Sequence, residues 1–472
     1  MEKINQQLKH YQWIIMLFFF ALAYYMSWTE TDFYFLLATG RTFVHEIPHT
    51  EFLSMHEGLQ YVSQQWLFAR VLYQIYEAAG FAGCYALVGL LKGFTQVVAY
   101  RMMIRITKGH YLFSTAAAML IMIPGAIFNC ARPFTASTLL LLITVCVYEM
   151  YMDGKKSLWA LPVLSVLLIN IHASMWPMIF IFMLPYLVGN IPLGKKSFLL
   201  FENRSVLPLL GWGVISVITG FLNPYGIKNM LYLTYSYGYD SINNNIGEMQ
   251  PATITDITGI MIIILLLIGF WRLYKVRQVK ARYAFLFAGT GLLALMHLRG
   301  LLLFTYVGII AIASTFEYQG SRQNIPAPKH FKLIQAILLG LLIITVIKKD
   351  TIPDTQDYQL AVQYIVQDTE NKEDTTVYIG YAEGGYAEWM GLRPYIDPRA
   401  EVYLKGMNKK ANILEEYLDT CRGVVNIEEF IDKYQFDYMM IPENGAMQYQ
   451  MKYVPEYLKI YDQNGYTIFK RT

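Results

Sequence analysis

Charge is scarce in this 472-residue chain: Asp, Glu, Lys and Arg make up 15% of it, against roughly 25% in an average soluble domain. That shortage argues against an ordinary water-soluble fold. The net charge of +3 is too small to form the basic footprint of a nucleic-acid binder. Cysteine is sparse as well, with four residues and no CxxC or CxxH spacing, so neither a zinc site nor a disulfide framework is indicated. No small-residue cleavage site follows the first apolar run, which reads as a retained anchor and not as a signal peptide. There is also no long internal repeat and no low-complexity tract.

Apolar residues are abundant, at 55% of the chain. Runs such as "YQWIIMLFFFALAYYMSW" and "GIMIIILLLIGFW" have the length and purity of membrane-spanning helices, about 20 residues each. The pattern predicts spans near 11–28, 82–100, 111–128, 133–151, 157–171, 173–189, 205–222, 254–271, 283–297, 300–316 and 331–347. The stretches 157–189 and 281–316 are long for one helix and short for two. Lys155/Lys156 and Lys195/Lys196 bracket the first, and Arg277/Lys280/Arg282 and Lys329/Lys332 the second. Lysine and arginine mark the cytoplasmic side, so each stretch crosses an even number of times, which gives about 11 spans. The loops assigned to the cytoplasm hold 18 Lys and Arg, and the opposite short loops hold five. The N-terminus is therefore expected inside, and residues 29–81, 129–132, 172, 223–253, 298–300 and the polar C-terminal part outside.

The first outer loop, 29–81, carries two helical patterns, "DFYFLLATGRTFVHE" and "QQWLFARVLYQIYEAAG", the second stopped by Gly80. Both are expected to lie as amphipathic helices in the membrane interface. From Lys348 onward the character changes. "TTVYIG" and "FDYMMIP" read as strands, "NILEEYLDTC" and "IEEFIDKY" as helices, and "YLKIYDQNGYTIFKR" as a hairpin with an Asn-Gly turn. The expected fold class is an α-helical integral membrane protein, 1–347, followed by a small extracytoplasmic α/β domain, 348–472.

Several polar residues fall on the outer rim: Asp32, Arg132, Asn170, His172, Asn223, Glu248, His297 and Arg299. Near hydrocarbon such groups cost several kcal/mol unless paired or lining a wet cavity, which makes each a functional candidate. Together they would suit a divalent metal, an anionic headgroup or general-base chemistry. Each also has a plain structural role available: Asp32 as a helix cap, the histidines as interface residues, Arg132 as a side chain reaching for phosphates, Glu248 as a loop acid. The "NPYG" at 223–226 is a turn by its chemistry.

Taken in order, these segments carry a resemblance. "TDFYFLLATGRTFVHEIPHTEFLS" followed by "SQQWLFARVLYQIYEAAG" resembles the first outer loop of the GT-C superfamily of polytopic glycosyltransferases, in particular a largely uncharacterised bacterial branch. "ARPFTASTLLLLITVCVYE" is similar to that branch's "RPQ" helix start, with Phe134 in place of Gln. "LINIHASM" resembles its "N-x-H-G" element, with Ala173 for Gly, and "LNPYG…IGEMQP" its "NPYG…EWQSP" stretch, with Met249 for Trp. "EGGYAEWMGLRPYIDPRAEVY" resembles its "GGYLIW…IDGR" segment, with Pro398 for Gly.

The resemblance implies a membrane glycosyltransferase, inverting, that takes a sugar from a polyprenyl-phosphate or polyprenyl-diphosphate carrier at the outer face of a bacterial plasma membrane. It makes Asp32 the catalytic carboxylate. It leaves Arg132, His172, Arg299 and His297 as candidates for substrate or phosphate binding. Glu248 with Asp32 become candidates for a divalent cation, Mg²⁺ or Mn²⁺. The expected partners are the lipid-linked sugar, an acceptor and membrane lipids, with no nucleic acid. Two other classes stay open: a transporter or flippase for a lipid-linked glycan, and a catalytically silent membrane assembly protein. Transport calls for polar residues deep in the helices, where Lys92 and Glu149 are the exceptions to an apolar rule.

Overall fold

A computed structural model describes residues 2–128, 130–192, 195, 196, 198–236, 238–276, 278–318, 330–347, 349–443 and 445–472. Of the sequence features used above, Asn129, Arg277, residues 319–329 and Lys348 lie outside the described residues, as do the side chains of Lys195 and Lys196. The chain forms two compact units. One comprises Met1–Trp28, Tyr85–Gly226 and Asn243–Thr351, and the other Thr29–Cys84, Ile227–Ile242 and Ile352–Thr472. The division expected at 347/348 is one along the chain; in space, the first outer loop and a short middle segment cluster with the C-terminal part.

The first unit is helical, with a helix at every predicted span. Three helices are long and apolar enough to cross a membrane: Trp66–Ile106, Pro133–Met152 and Ile257–Lys275. The other apolar helices among the described residues run 10–17 residues. Burial ranks the three. Pro133–Met152 is 72% enclosed, whereas Ile257–Lys275 is 28% enclosed and exposes Ile264, Leu267, Ile268 and Phe270, as a lipid-facing helix would. The local chemistry explains the ends. Pro133 occupies the first turn of its helix, where no N–H is needed. Asp256 caps Ile257–Lys275 by accepting from the amides of Thr258 and Gly259. Gly80, expected to stop a helix, instead kinks Trp66–Ile106 with φ 59° and ψ −153°, a conformation open to glycine.

Glu149, one of the deep polar exceptions, is paired. Its oxygens take Arg282 Nε at 3.0 Å, Arg282 Nη2 at 3.1 Å, and the hydroxyls of Tyr186 and Tyr283 at 2.9 Å each. Lys92 Nζ donates to the Gly125 carbonyl at 3.3 Å.

The second unit contains a five-stranded sheet in the order Arg393–Pro394, Thr376–Tyr378, Tyr438–Pro442, Tyr466–Arg471, Tyr457–Gln463. The first three strands run parallel and the last two antiparallel. The hairpin turns at Asn464 and Gly465, with φ of 55° and 73°, the two left-handed positions a type I′ turn requires. The predicted helices are present as Ile413–Cys421 and Ile427–Tyr434.

One expectation is corrected. The Asp32–Phe43 helix is no one-sided interfacial helix: Phe33 through Gly40 are all buried. A Cβ on Gly40 would stand 2.2 Å from the Ala69 carbonyl oxygen, and one on Gly385 would stand 3.0 Å from Phe35 Cβ. The helix is thus enclosed by Trp66–Ile106 on one side and Gly384–Met390 on the other. The second helical pattern, 66–80, keeps an exposed face at Val71, Gln74, Glu77 and Ala78.

Candidate functional site

In the helical unit, three chain segments present charge at one end of the Pro133–Met152 helix. Arg132 is its N-cap, in extended conformation (φ −111°, ψ 152°). Glu248 stands on the single turn Gly247–Met249, and Arg299 on the turn Leu298–Gly300. These two turns brace each other: His297 Nδ1 lies 2.7 Å from the Met249 carbonyl, and the Leu298 amide donates to the Gln250 carbonyl at 3.0 Å. Gly300 permits the close turn, because a Cβ there would meet the Ala294 backbone at 2.7 Å.

The three side chains meet. Arg132 Nη1 donates to both oxygens of Glu248, at 3.1 and 3.0 Å, and Arg299 Nη1 lies 3.6 Å from Glu248 Oε1. Burial pushes the Glu248 carboxyl up, but the charges of Arg299 and Arg132 outweigh it and hold the group below its ordinary range. Two guanidiniums around one carboxylate leave a net positive charge. Arg299 Nε is buried and has no hydrogen-bond partner among the described residues. The guanidinium carbon of Arg299 stands 4.8 Å over the Phe134 ring. His172 approaches the same ring edge-on at 6.2 Å between centroids and contacts Ser137 Oγ through Nδ1 at 2.8 Å.

Sequence-predicted residues thus divide by role. Arg132, Glu248, Arg299 and His172 come together around Phe134, and His297 braces the turn that carries Glu248. Asn170 ties its helix to the Leu222 carbonyl at 2.9 Å. Asn223 shapes the expected turn by accepting from the Tyr225 amide at 2.9 Å. Glu248 does not fit a metal: a dication there would face two guanidiniums that already neutralise the carboxylate. Among the described residues, no group of three or more His, Cys, Asp or Glu side chains gathers to hold a metal ion.

This arrangement of helices and sheet matches solved structures. Over 91% of this chain and 69% of that one, it is similar to the oligosaccharyltransferase AglB of Archaeoglobus fulgidus in complex with an inhibitory peptide and a dolichol-phosphate, with a TM-score of 0.55 and 12% identity. The apo form of the Archaeoglobus fulgidus oligosaccharyltransferase gives 0.54 and 11%, over 90% and 69%. ArnT of Cupriavidus metallidurans, bound to undecaprenyl phosphate, matches over 97% of both chains, with a TM-score of 0.53 and 8% identity. The fold is that of the GT-C glycosyltransferases. No family model and no curated sequence matches the chain.

Asp32 belongs to the second unit, where it is the first residue of the Asp32–Phe43 helix and not its cap. A carboxylate in the first turn is favoured by the helix dipole. Tyr381 lies close enough that Asp32, after burial itself, is the next cause raising its hydroxyl well above the ordinary range; Glu401 and Asp397 add to the effect.

The same unit holds a cluster that sequence reasoning missed. Arg399 donates to Glu51 at 2.9 and 3.1 Å, to Glu388 at 2.8 Å and to Asp397 at 2.7 and 2.8 Å. The three carboxylate side chains are fully buried and that of Arg399 is 4% exposed. One guanidinium cannot balance three buried carboxylates, so the cluster must hold a proton. Burial pushes Glu388 well above the carboxylate range, with Asp397 and Glu51 adding to the push against Arg399. Asp397 also feels burial, but Arg399 prevails and holds it low. Glu388 is therefore the member of the cluster that burial and the neighbouring carboxylates favour as the holder of the proton. The signal available in sequence was "IDPRAE", three charges within five residues beside an apolar strand.

Proposed function

We propose that this protein is a membrane glycosyltransferase that takes a sugar from a polyprenyl-phosphate or polyprenyl-diphosphate carrier at the outer face of the membrane. The observation that carries the reading is the Arg132–Glu248–Arg299 group: two guanidiniums, one carboxylate, and an Arg299 Nε with no hydrogen-bond partner among the described residues. A phosphate brings an acceptor for Arg299 Nε and the second negative charge that one carboxylate does not supply. The GT-C neighbours that hold dolichol-phosphate and undecaprenyl phosphate support the same ligand class here.

In this reading Asp32 accepts the proton of the acceptor hydroxyl as it attacks the anomeric carbon. The sugar–phosphate bond breaks, and Arg132 and Arg299 take up the negative charge developing on the leaving phosphate. Glu248 holds the two arginines in place. A divalent cation remains a proposal for Asp32 and not for Glu248. The transport reading gains nothing from Glu149, whose charge Arg282 and two tyrosines already absorb.

The test uses purified wild type and Asp32→Asn with a panel of radiolabelled polyprenyl-phosphate sugars, with and without Mg²⁺ or Mn²⁺. Turnover by wild type alone supports the reading. Equal turnover by both removes Asp32 from the chemistry. Absence of turnover by folded wild type across donors and acceptors counts against a glycosyltransferase.

A further inference from the structure

Ser137 lies one turn inside the Pro133–Met152 helix and is wholly buried. Its Oγ makes two contacts: 2.9 Å to the Pro133 carbonyl oxygen and 2.8 Å to His172 Nδ1. A serine hydroxyl has one hydrogen, and a carbonyl oxygen only accepts. The hydrogen must therefore point at Pro133, since two oxygens at that distance with no hydrogen between them repel. Neighbouring hydroxyls in the helix do the same: Thr135 donates to the Cys130 carbonyl at 3.0 Å, and Thr138 to that of Phe134 at 2.8 Å. Ser137 Oγ then offers His172 lone pairs alone, so His172 Nδ1 carries a hydrogen and donates it.

The ring is neutral for an independent reason. His172 is 2% exposed, and the described partner of its ring is a hydroxyl and no carboxylate. Arg299 packs on the same Phe134 ring. An imidazolium there would be a buried cation beside the Arg299 guanidinium, with no carboxylate partner of its own among the described residues. A neutral histidine with hydrogen on Nδ1 has a bare lone pair on Nε2. Among the described residues, Nε2 receives no hydrogen bond.

We infer that Ser137 is a positioning residue that fixes His172 in the Nδ1–H tautomer, and that His172 Nε2 accepts a hydrogen bond from a hydroxyl of the transferred sugar. A phosphate dianion or diester has no hydrogen to give, so it meets Nε2 lone pair to lone pair. The phosphate belongs to Arg132 and Arg299, and His172 reads the group attached to it. This narrows the expectation that His172 binds substrate or phosphate. The tautomer follows from the contacts alone; the choice of a sugar as ligand rests on the glycosyltransferase reading.

The experiment is nitrogen-15 NMR of the full chain in detergent micelles, labelled at histidine, with His172→Gln identifying the signal among eight histidines. The expected spectrum shows a protonated Nδ1 and a bare Nε2, and Ser137→Ala should collapse it to a tautomer mixture. A protonated Nε2 in wild type overturns the inference whether or not Ser137→Ala folds. Titration then uses a short-chain polyprenyl phosphate, with and without an attached hexose. Nε2 should shift with the sugar-bearing lipid and not with the bare phosphate; an equal shift with both, or none with either, overturns the role in sugar recognition. In turnover assays, Ser137→Ala should raise KM for the lipid-linked sugar about tenfold with a smaller change in kcat, the effect of one misdirected hydrogen bond. Should no variant turn over any lipid-linked sugar, the glycosyltransferase reading fails, while the wild-type spectrum still decides the tautomer.

Discussion

Arg132 and Glu248, 116 residues apart in the chain, meet with one guanidinium nitrogen 3.1 and 3.0 Å from both carboxylate oxygens. The contact makes Glu248 a partner of arginine. Glu248→Gln should lower transfer by about 10- to 100-fold, since the lost charge-assisted bonds amount to roughly 1.5–3 kcal/mol. Excess Mg²⁺ or Mn²⁺ should not restore it. Recovery by added metal in a steady-state assay would return Glu248 to the role of metal ligand.

Arg299 stands over Phe134 with an Nε that has no partner among the described residues, and its charge is the one left over after Glu248 is satisfied. Arg299→Gln should weaken binding of a short-chain polyprenyl phosphate by about tenfold or more, measured by calorimetry in micelles. Unchanged affinity would place the lipid phosphate elsewhere.

The Arg399 cluster predicts a pH dependence of stability. Glu388 keeps its proton in the folded chain well above the range in which an unfolded glutamate loses it, near 4.3. Its contribution is therefore complete below that value and is lost as pH rises toward the folded-state pKa. Asp397 is shifted the other way, so its share is lost as pH falls below the ordinary aspartate range. Thermal unfolding followed from mildly acidic to alkaline pH should show Tm falling on the alkaline side. Glu388→Gln, whose amide can donate to Asp397, should flatten that fall; parallel curves for the two proteins would refute the shared proton. Other titrating groups near the cluster are His56, Tyr61 and Tyr403. Tyr403 hydrogen-bonds to Asp397, and burial lowers His56.

Gly40 sits where a methyl group has no room. Gly40→Ala would press Cβ onto the Ala69 carbonyl and Tyr73 Cβ, the latter at 2.7 Å, and overpacking of this kind costs about 1–3 kcal/mol. A lower Tm is expected, and an unchanged one would mean that the Asp32–Phe43 helix is free to shift.

Helices at the predicted positions were readable in the sequence from their uninterrupted apolar runs, though three of them are long and apolar enough to cross a membrane; Pro133 and Asp256 mark helix starts by ordinary capping chemistry. The hairpin at Asn464–Gly465 was readable for the same local reason. Burial of Asp32–Phe43 was not. Its Thr39 and Gly40 look like a polar face, yet they are small residues that admit a neighbouring backbone. Nor was the Arg399 cluster readable, since Glu51 and Arg399 are 348 residues apart and no period or spacing links them. Ser137 is one hydroxyl among several in its helix, and only its two simultaneous contacts distinguish it.

The enclosure of the Asp32–Phe43 helix has a consequence for synthesis. Arg41 donates to the carbonyl of Glu388 at 3.4 Å, a partner 347 residues later in the chain. During translation, then, the segment carrying Asp32 emerges long before the helix that covers it, and its apolar face must be sheltered in the meantime by the membrane or by a chaperone. An incomplete chain would present Asp32 on an unclosed helix. Truncation ahead of Gly384 should therefore strand the first loop as a protease-sensitive intermediate, which links completion of the polypeptide to assembly of the segment that carries the proposed base.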